Sequence, residues 1–177
     1  MAGGNKKSYL VEYRVMKRIM DFVGGVFGVL LTGLLTPFIA LAIYLEDGLP
    51  VFIKIRRVSR GQIIGVYKFR SMVKDADKLR EGLSHLNERN DGPFFKMRRD
   101  PRVTRVGRFL RKFRLDELPQ FVNVLKGELS VVGPRPHEPE EALQYPVEFH
   151  KIHMVKGGVT GHSQVNGNSN LPFRREL

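Results

Sequence analysis

Two adjacent carboxylates and an arginine held between prolines are the residues of this chain best suited to chemistry. In Arg114-Leu115-Asp116-Glu117-Leu118-Pro119-Gln120, Pro119 suits a helix only in its first turn, where N–H groups have no intrahelical partners. The spacing therefore predicts Asp116 and Glu117 at or just before a helix N-terminus. The macrodipole there favours negative charge, so Asp116 is expected to be ionised at neutral pH, with free N–H groups able to hold a phosphate oxygen. An ionised carboxylate is what a carboxylate nucleophile needs. The same pair could be an ordinary acidic helix start, or a magnesium anchor, because Mg2+ takes one or two protein carboxylates and completes its shell with phosphate and water. In Gly133-Pro134-Arg135-Pro136 each proline restricts the residue before it, which predicts an extended, rigid Arg135. A guanidinium so fixed suits a bidentate grip on phosphate, with a simple turn as the competing reading.

Other chemistries are excluded by residue type. There is no cysteine, hence no thiolate nucleophile, disulfide framework or cysteine metal site. His85, His137, His150, His153 and His162 show no His-Glu-x-x-His spacing, so no zinc site is read, and His150 and His153 are expected to be solvated. No Walker loop, dinucleotide fingerprint or Gly-x-Ser-x-Gly elbow is present.

The elements that must position these groups are short. Val51 to Ile55 and Gly61 to Phe69 read as strands around a Ser59-Arg60-Gly61-Gln62 turn, and Val73 to Asn87 as a polar helix. Thr104 can cap a helix from Arg105 to Phe113 with Val106, Phe109, Leu110 and Phe113 on one face and Arg105, Arg108, Arg111 and Lys112 on the other. Such a helix suits a bilayer interface, or a surface place on the protein's own core. Leu118 to Lys126 reads as a helix ended by Gly127. Beyond Ser130 loops are expected. With 177 residues, 42% of them hydrophobic, one modest domain is expected. Its formal charge of +12 points to anionic partners.

From Phe22 to Tyr44 about 23 residues carry no charge, enough to cross a bilayer at ~1.5 Å per residue. Lys17 and Arg18 precede this run, while Lys54, Arg56 and Arg57 follow it. The positive-inside rule then asks for both ends on the cytoplasmic side, which a helix that enters, breaks at Thr36-Pro37 and returns would satisfy. Thr36 Oγ1 could bond a freed carbonyl such as that of Thr32. A single span with a tolerated proline is the competing reading. Gly24 and Gly28 suit either helix pairing or packing within the hairpin, so oligomeric state stays open, a homodimer included.

In order and spacing, several segments together resemble the bacterial sugar transferases, also called monotopic or small polyprenyl-phosphate phosphoglycosyl transferases. They are Val66-Tyr67-Lys68-Phe69-Arg70-Ser71-Met72, Asp91-Gly92-Pro93-Phe94-Phe95-Lys96, Asp100-Pro101-Arg102-Val103-Thr104-Arg105-Val106-Gly107, Leu115-Asp116-Glu117-Leu118-Pro119-Gln120, Asn123-Val124-Leu125-Lys126-Gly127-Glu128-Leu129-Ser130 and Val132-Gly133-Pro134-Arg135-Pro136. The resemblance runs from about Lys17 to the C-terminus. It implies transfer of a sugar 1-phosphate from a UDP-sugar to a polyprenyl (undecaprenyl) phosphate, with UMP released. Asp116 would be the nucleophile and a Mg2+ ligand, and Glu117 would assist the metal or manage a proton. Lys68, Arg111 and Arg135 would hold phosphate oxygens. The place implied is the cytoplasmic face of a bacterial inner membrane, monotopic and in contact with membrane lipid, at the first membrane step of polysaccharide or glycoconjugate synthesis.

The expected fold is therefore α+β. It has a basic segment at 1–16, a re-entrant membrane helix-break-helix hairpin at 17–47 and a mainly helical catalytic domain at 48–177, with a short β-hairpin and interfacial amphipathic helices. Two departures stand out where the family usually reads Arg-Pro-Gly-Ile-Thr-Gly-Trp-Ala-Gln-Val-Asn-Gly-Arg. His162 replaces an aromatic and Asn168 removes a positive charge. The sequence also ends at Leu177, before an aromatic-rich segment many members carry, which fits a minimal member or a shortened chain. These features motivate a rival reading as an inactive membrane-bound adaptor for acidic lipid or nucleotide sugar. A nucleic-acid partner is not expected, because the charge comes without a recognisable binding motif.

Overall fold

A helix of 45 residues, α1 (Gly3–Asp47), runs unbroken through Pro37. The computed structural model describes the backbone of residues 3–167 and 171–176, with side chains described from Val11 onward except Glu81 and Glu176. The expected division into two helices at Thr36-Pro37 is thus replaced by one continuous helix, which also takes in the described part of the 1–16 segment. Pro37 supplies no N–H, and hydroxyls shore up the turn before it. Thr36 Oγ1 donates to the Thr32 carbonyl (2.7 Å) and Thr32 Oγ1 to that of Gly28 (2.6 Å). Residues 11–47 are long and apolar enough to cross a membrane.

One face of α1 is docked along its length. Towards its N-terminal end, Asp21 Oδ1 accepts hydrogen bonds from Lys17 Nζ (2.8 Å), Ser130 Oγ (2.8 Å) and Val131 N (2.9 Å). Gly24, Gly25 and Gly28 then let Val131, Leu125 and Phe121 approach the helix backbone. A Cβ at Gly28 would lie 2.1 Å from the Phe121 ring. These glycines serve packing within the chain. Further on, Ile39 and Ile43 join Phe69 and Leu110 in a buried core. In the last turn the Glu46 carboxylate accepts from Arg105 N (2.7 Å) and Val106 N (2.9 Å), while Asp47 pairs with Arg70 (3.1 Å). The opposite face leaves Phe27, Leu30, Leu34, Phe38, Leu41 and Leu45 exposed at helical spacing.

The antiparallel hairpin of β1 (Phe52–Ser59) and β2 (Gln62–Phe69) forms around the expected turn, with Ser59 opposite Gln62. The polar helix expected over Val73–Asn87 is shorter: α2 (Ala76–Arg80) and a 3-10 turn (Glu81–Leu86). Its first residues are claimed elsewhere, since Met72 bridges Val103 and Val73 N donates to the Arg102 carbonyl (2.8 Å). Asp75 then takes a left-handed φ of 57°. α3 (Arg105–Lys112) begins at Thr104, whose side chain accepts from Gly107 N. Its apolar positions divide, Leu110 and Val106 packing on the core while Phe109 and Phe113 stay exposed against one another, ring centroids 4.8 Å apart.

The helix expected from Leu118 to Lys126 is instead a 3-10 turn, Leu115–Gln120, running into α4 (Phe121–Lys126), which Gly127 ends at φ 80°. Val124 and Leu129 pack with Val66 in a second core. Beyond Ser130 the chain is more ordered than expected. β3 (Ser130–Val132) pairs in parallel with β4 (Gly158–Thr160). α5 (Pro139–Ala142), a 3-10 turn (Val147–Met154), α6 (His162–Val165) and α7 (Phe173–Glu176) complete the chain. A third core stacks Phe94, Tyr145 and Phe173, with Phe149 against them. His153, half-buried, lies against the Tyr145 ring at 4.9 Å, so its expected solvation is partly replaced by packing, whereas His150 is exposed as expected, with Nε2 3.0 Å from the Tyr145 carbonyl.

Candidate functional site

The carboxylate pair sits in the first turn of the 3-10 segment, as expected, although Pro119 falls near that segment's end, just ahead of α4, and not in its first turn. Arg114, at a left-handed φ of 56°, separates α3 from this turn and swings the chain so that Asp116 points inward. Thr32 Oγ1 of α1 also reaches the Leu118 carbonyl (3.1 Å), so the long helix braces the turn directly. β2 supplies the cation: Lys68 Nζ lies 2.9 Å from Glu117 Oε1 and 3.7 Å from Asp116 Oδ2.

Arg135 comes from the loop after β3. Gly133 N donates to the Thr160 carbonyl (2.9 Å) and Gly158 N to that of Pro134 (2.8 Å), stitching the loop to β4 on both sides of the proline. A Cβ at Gly133 would lie 2.6 Å from the Lys156 carbonyl oxygen, so glycine is what permits this approach. Lys68, Glu117 and Arg135 line one cleft with Arg57, Gln120 and Gln164. Asp116 lies just behind the wall, 5% exposed. Arg111 does not line the cleft. Its Nε donates to Ser71 Oγ (2.9 Å), and its charge acts on Asp116. A Cβ at Gly107 would lie 1.9 Å from the Ser71 carbonyl oxygen, which shows how tightly α3 is seated there.

The two carboxylates are pushed apart electrostatically. Burial raises the Asp116 pKa, Glu117 adds to the rise, and Lys68 and Arg111 only partly oppose it. Burial also acts on Glu117, but the charges of Lys68 and Arg135 and the Lys68 hydrogen bond outweigh it and bring its pKa down. Against the helix-start influence that favours an ionised Asp116, burial is the larger influence on its pKa and pushes it upward. Such opposite shifts in neighbouring acids suit different roles in one reaction.

No cluster of three or more His, Asp or Glu capable of holding a metal exists among the described residues. A metal that needs a complete protein cage does not fit. Mg2+ does, because two carboxylates suffice when phosphates and water fill its shell. Sequence reasoning did not single out Gln120, Gln164 or Arg57. Gln120 lies in a motif already quoted, Gln164 two residues after His162 in the stretch that departs from the family pattern, and Arg57 among the charges that follow the apolar run. Asn168 lies outside the described residues. His162 opens α6 within it, near Asn166.

A mixed domain of helices and two small sheets, with a lysine-bridged carboxylate pair beside an arginine-walled cleft and a long apolar helix braced against it, defines the class. The bacterial sugar transferase family matches residues 12–177, and the chain belongs to it. It is 39% identical over 166 residues to the galactosyl transferase CpsE of Streptococcus agalactiae, covering 93% of this chain and 36% of that protein. Identity is 42% over 159 residues to the UDP-glucose:undecaprenyl-phosphate glucose-1-phosphate transferase of Escherichia coli, covering 87% and 32%. The uncharacterized sugar transferase EpsL of Bacillus subtilis is 33% identical over 164 residues, covering 92% and 74%. The chain spans about a third of the length of the first two relatives.

Proposed function

We propose that the chain transfers a sugar 1-phosphate from a UDP-sugar to polyprenyl phosphate through a covalent phosphosugar on Asp116. An oxygen of the Asp116 carboxylate attacks the sugar-bearing phosphorus, the bond from that phosphorus to the bridging oxygen breaks, and UMP leaves with that oxygen. An oxygen of the acceptor phosphate then attacks the same phosphorus. Asp116 departs as a carboxylate and the product is a polyprenyl diphosphosugar. Lys68 and Arg135 hold phosphate oxygens in the cleft, and Arg111 adds positive charge to the field around Asp116. Glu117, kept ionised by its cations, is suited to take a proton from the acceptor phosphate. Mg2+ held by Asp116, with Glu117 beside it, would supply charge neutralisation at the diphosphate.

The observation that carries this reading is the Lys68 ammonium shared by the two carboxylates, 2.9 Å and 3.7 Å away, in a cleft that Arg135 also lines. The names of the relatives, several of them undecaprenyl-phosphate sugar phosphotransferases, support the substrate classes. The test is magnesium-dependent UMP release from a panel of UDP-sugars by the detergent-solubilised chain, with and without polyprenyl phosphate. Asp116→Asn is expected to lower release by about a thousandfold or more while the protein stays folded. Equal release by the variant would sink the covalent route. No release from any sugar by folded wild type would favour the adaptor reading.

The same proposal places α1 as a re-entrant element at the cytoplasmic face of the inner membrane. Support comes from its contacts: it is held on one side from Lys17 to Asp47, so a perpendicular crossing would drag the polar domain into hydrocarbon. Its exposed stripe instead enters one leaflet, with Thr36-Pro37 as the site of bending. The chain has no cysteine, so Arg14→Cys and Lys78→Cys can be labelled singly in cells or oriented vesicles. Both are expected to react from the cytoplasmic side. Labelling of position 14 only from the outer side would show a full crossing.

A further inference from the structure

Four segments meet at the C-terminal end of α4. Arg18 of α1 donates from Nη1 to the Val124 carbonyl (3.2 Å) and from Nη2 to that of Leu125 (3.1 Å), answering the negative end of that short helix. Gly127 follows in a left-handed conformation, and a Cβ there would lie 3.6 Å from both Arg18 Nη1 and Lys156 Nζ. The two cations thus face the same small space above a residue with no side chain.

The hairpin turn closes the arrangement. Arg60 N donates to the Val155 carbonyl (3.0 Å), setting the backbone of Arg60 beside the segment that carries Lys156, just before β4. Ser59, 2% exposed, ties the segments together: its hydroxyl donates to the Glu128 carbonyl (2.6 Å) and accepts from Gly157 N (3.0 Å). The place is built by buried backbone bonds, and its cations come from three separate parts of the chain.

What it lacks is an anion. Among the described residues no acceptor lies within hydrogen-bonding reach of Lys156 Nζ. The nearby carboxylates are engaged: Asp21 with Lys17, Ser130 and Val131, and Glu128 with Asn123 Nδ2 (2.6 Å). Burial lowers the Lys156 pKa, and Arg18, Arg60 and Lys17 push it further down against the pull of Asp21. An unanswered, half-buried ammonium among like charges favours whatever anion reaches it.

Depth selects the kind of anion. Arg18 lies one helical turn before Phe22, where the apolar run of α1 starts, and Met154 and Val155 beside Lys156 are 71% and 51% exposed. Cations next to exposed apolar side chains where the apolar run of an interfacial helix starts match the level of lipid phosphates. We propose that Arg18, Arg60 and Lys156 form a site for the phosphate of one anionic phospholipid headgroup, separate from the cleft that contains Glu117 and Arg135. This rests on the interfacial placement of α1.

The test uses the full chain in detergent, titrated with short-chain phosphatidylglycerol, short-chain phosphatidylcholine and inorganic phosphate, with bound species counted by native mass spectrometry. One phosphatidylglycerol is expected to be retained in preference to phosphatidylcholine. Lys156→Gln should weaken that retention about fivefold, the effect of one interfacial charge. Lys156→Arg should restore it, and Lys78→Gln, on the distant and exposed α2, should leave it unchanged. Equal retention of the two lipids, an unchanged Lys156→Gln, or inorganic phosphate binding as well as the lipid would each overturn the proposal. Flotation on pure phosphatidylcholine vesicles separates the two readings. Failure of wild type to float overturns the interfacial placement, whereas flotation without a phosphatidylglycerol preference overturns the headgroup site alone.

Discussion

The side of the domain that carries α1 and the side that carries the aromatic core are held together by different means. On the first, glycines bring backbones close, and polar side chains reach across: Asp21 to Val131, Thr32 to Leu118, Glu46 to the start of α3. On the second, Phe94, Tyr145 and Phe173 interlock, with ring centroids 5.3 Å apart for Phe94 and Phe173 and 5.4 Å for Tyr145 and Phe173. Arg89 adds a guanidinium 4.9 Å from the Phe94 ring. The difference follows from the solvent each side would meet. If the other face of α1 enters acyl chains, as proposed, burying more aliphatic area gains little, because lipid is as apolar as the core; close approach and hydrogen bonds then distinguish docked from undocked. Against water, ring burial itself stabilises.

Substitutions can break that comparison in order of size. Phe94→Ala empties the centre of the aromatic core and is expected to cost about 3–5 kcal/mol, read from thermal or denaturant unfolding. A loss below about 1 kcal/mol would mean that this core is not what holds the C-terminal segments. Gly28→Ala forces the Phe121 ring aside and should cost about 1–3 kcal/mol, seen as a lowered melting temperature in detergent and freer proteolysis between α1 and the domain. Gly33→Ala is the smallest change. Nothing lies within 4 Å of a Cβ there, so docking should be unaffected and stability should move by no more than about 1 kcal/mol. Equal effects at positions 28 and 33 would show that helix propensity, and not close approach, is being measured.

The same contrast explains what could be read from sequence. Thr104 as a cap, the turn at Ser59-Arg60-Gly61-Gln62, Gly127 as a helix stop and Asp116-Glu117 in a first turn are local signals, and each is found in the structure. The division of α1 at Pro37 was not borne out, because threonine hydroxyls and docking along the helix compensate for a missing donor in ways a residue pattern does not display. The pairing of β3 with β4 is a contact between segments about 28 residues apart, each only three residues long, so no period could announce it. For the site, Arg135 was legible from its flanking prolines and Lys68 only from motif resemblance, and the fold brings both to the cleft beside Glu117. Asp116 proves to lie behind the cleft wall, and Arg111 stands outside the cleft with its Nε on Ser71. The burial that shifts Asp116 is a tertiary property absent from any local reading.

Glu46 gives this arrangement a mechanical meaning. By accepting from two successive N–H groups of α3, the last turn of α1 is pinned to the first turn of the amphipathic helix like the corner of a set square. Thr32 pins the same long arm to the turn bearing the carboxylates. The distance from the exposed stripe of α1 to the Lys68 cation is therefore a ruler cut into the chain. On the proposed interfacial placement of α1, a phosphate held by Lys68 arrives at that one height, whatever the length of the tail attached to it.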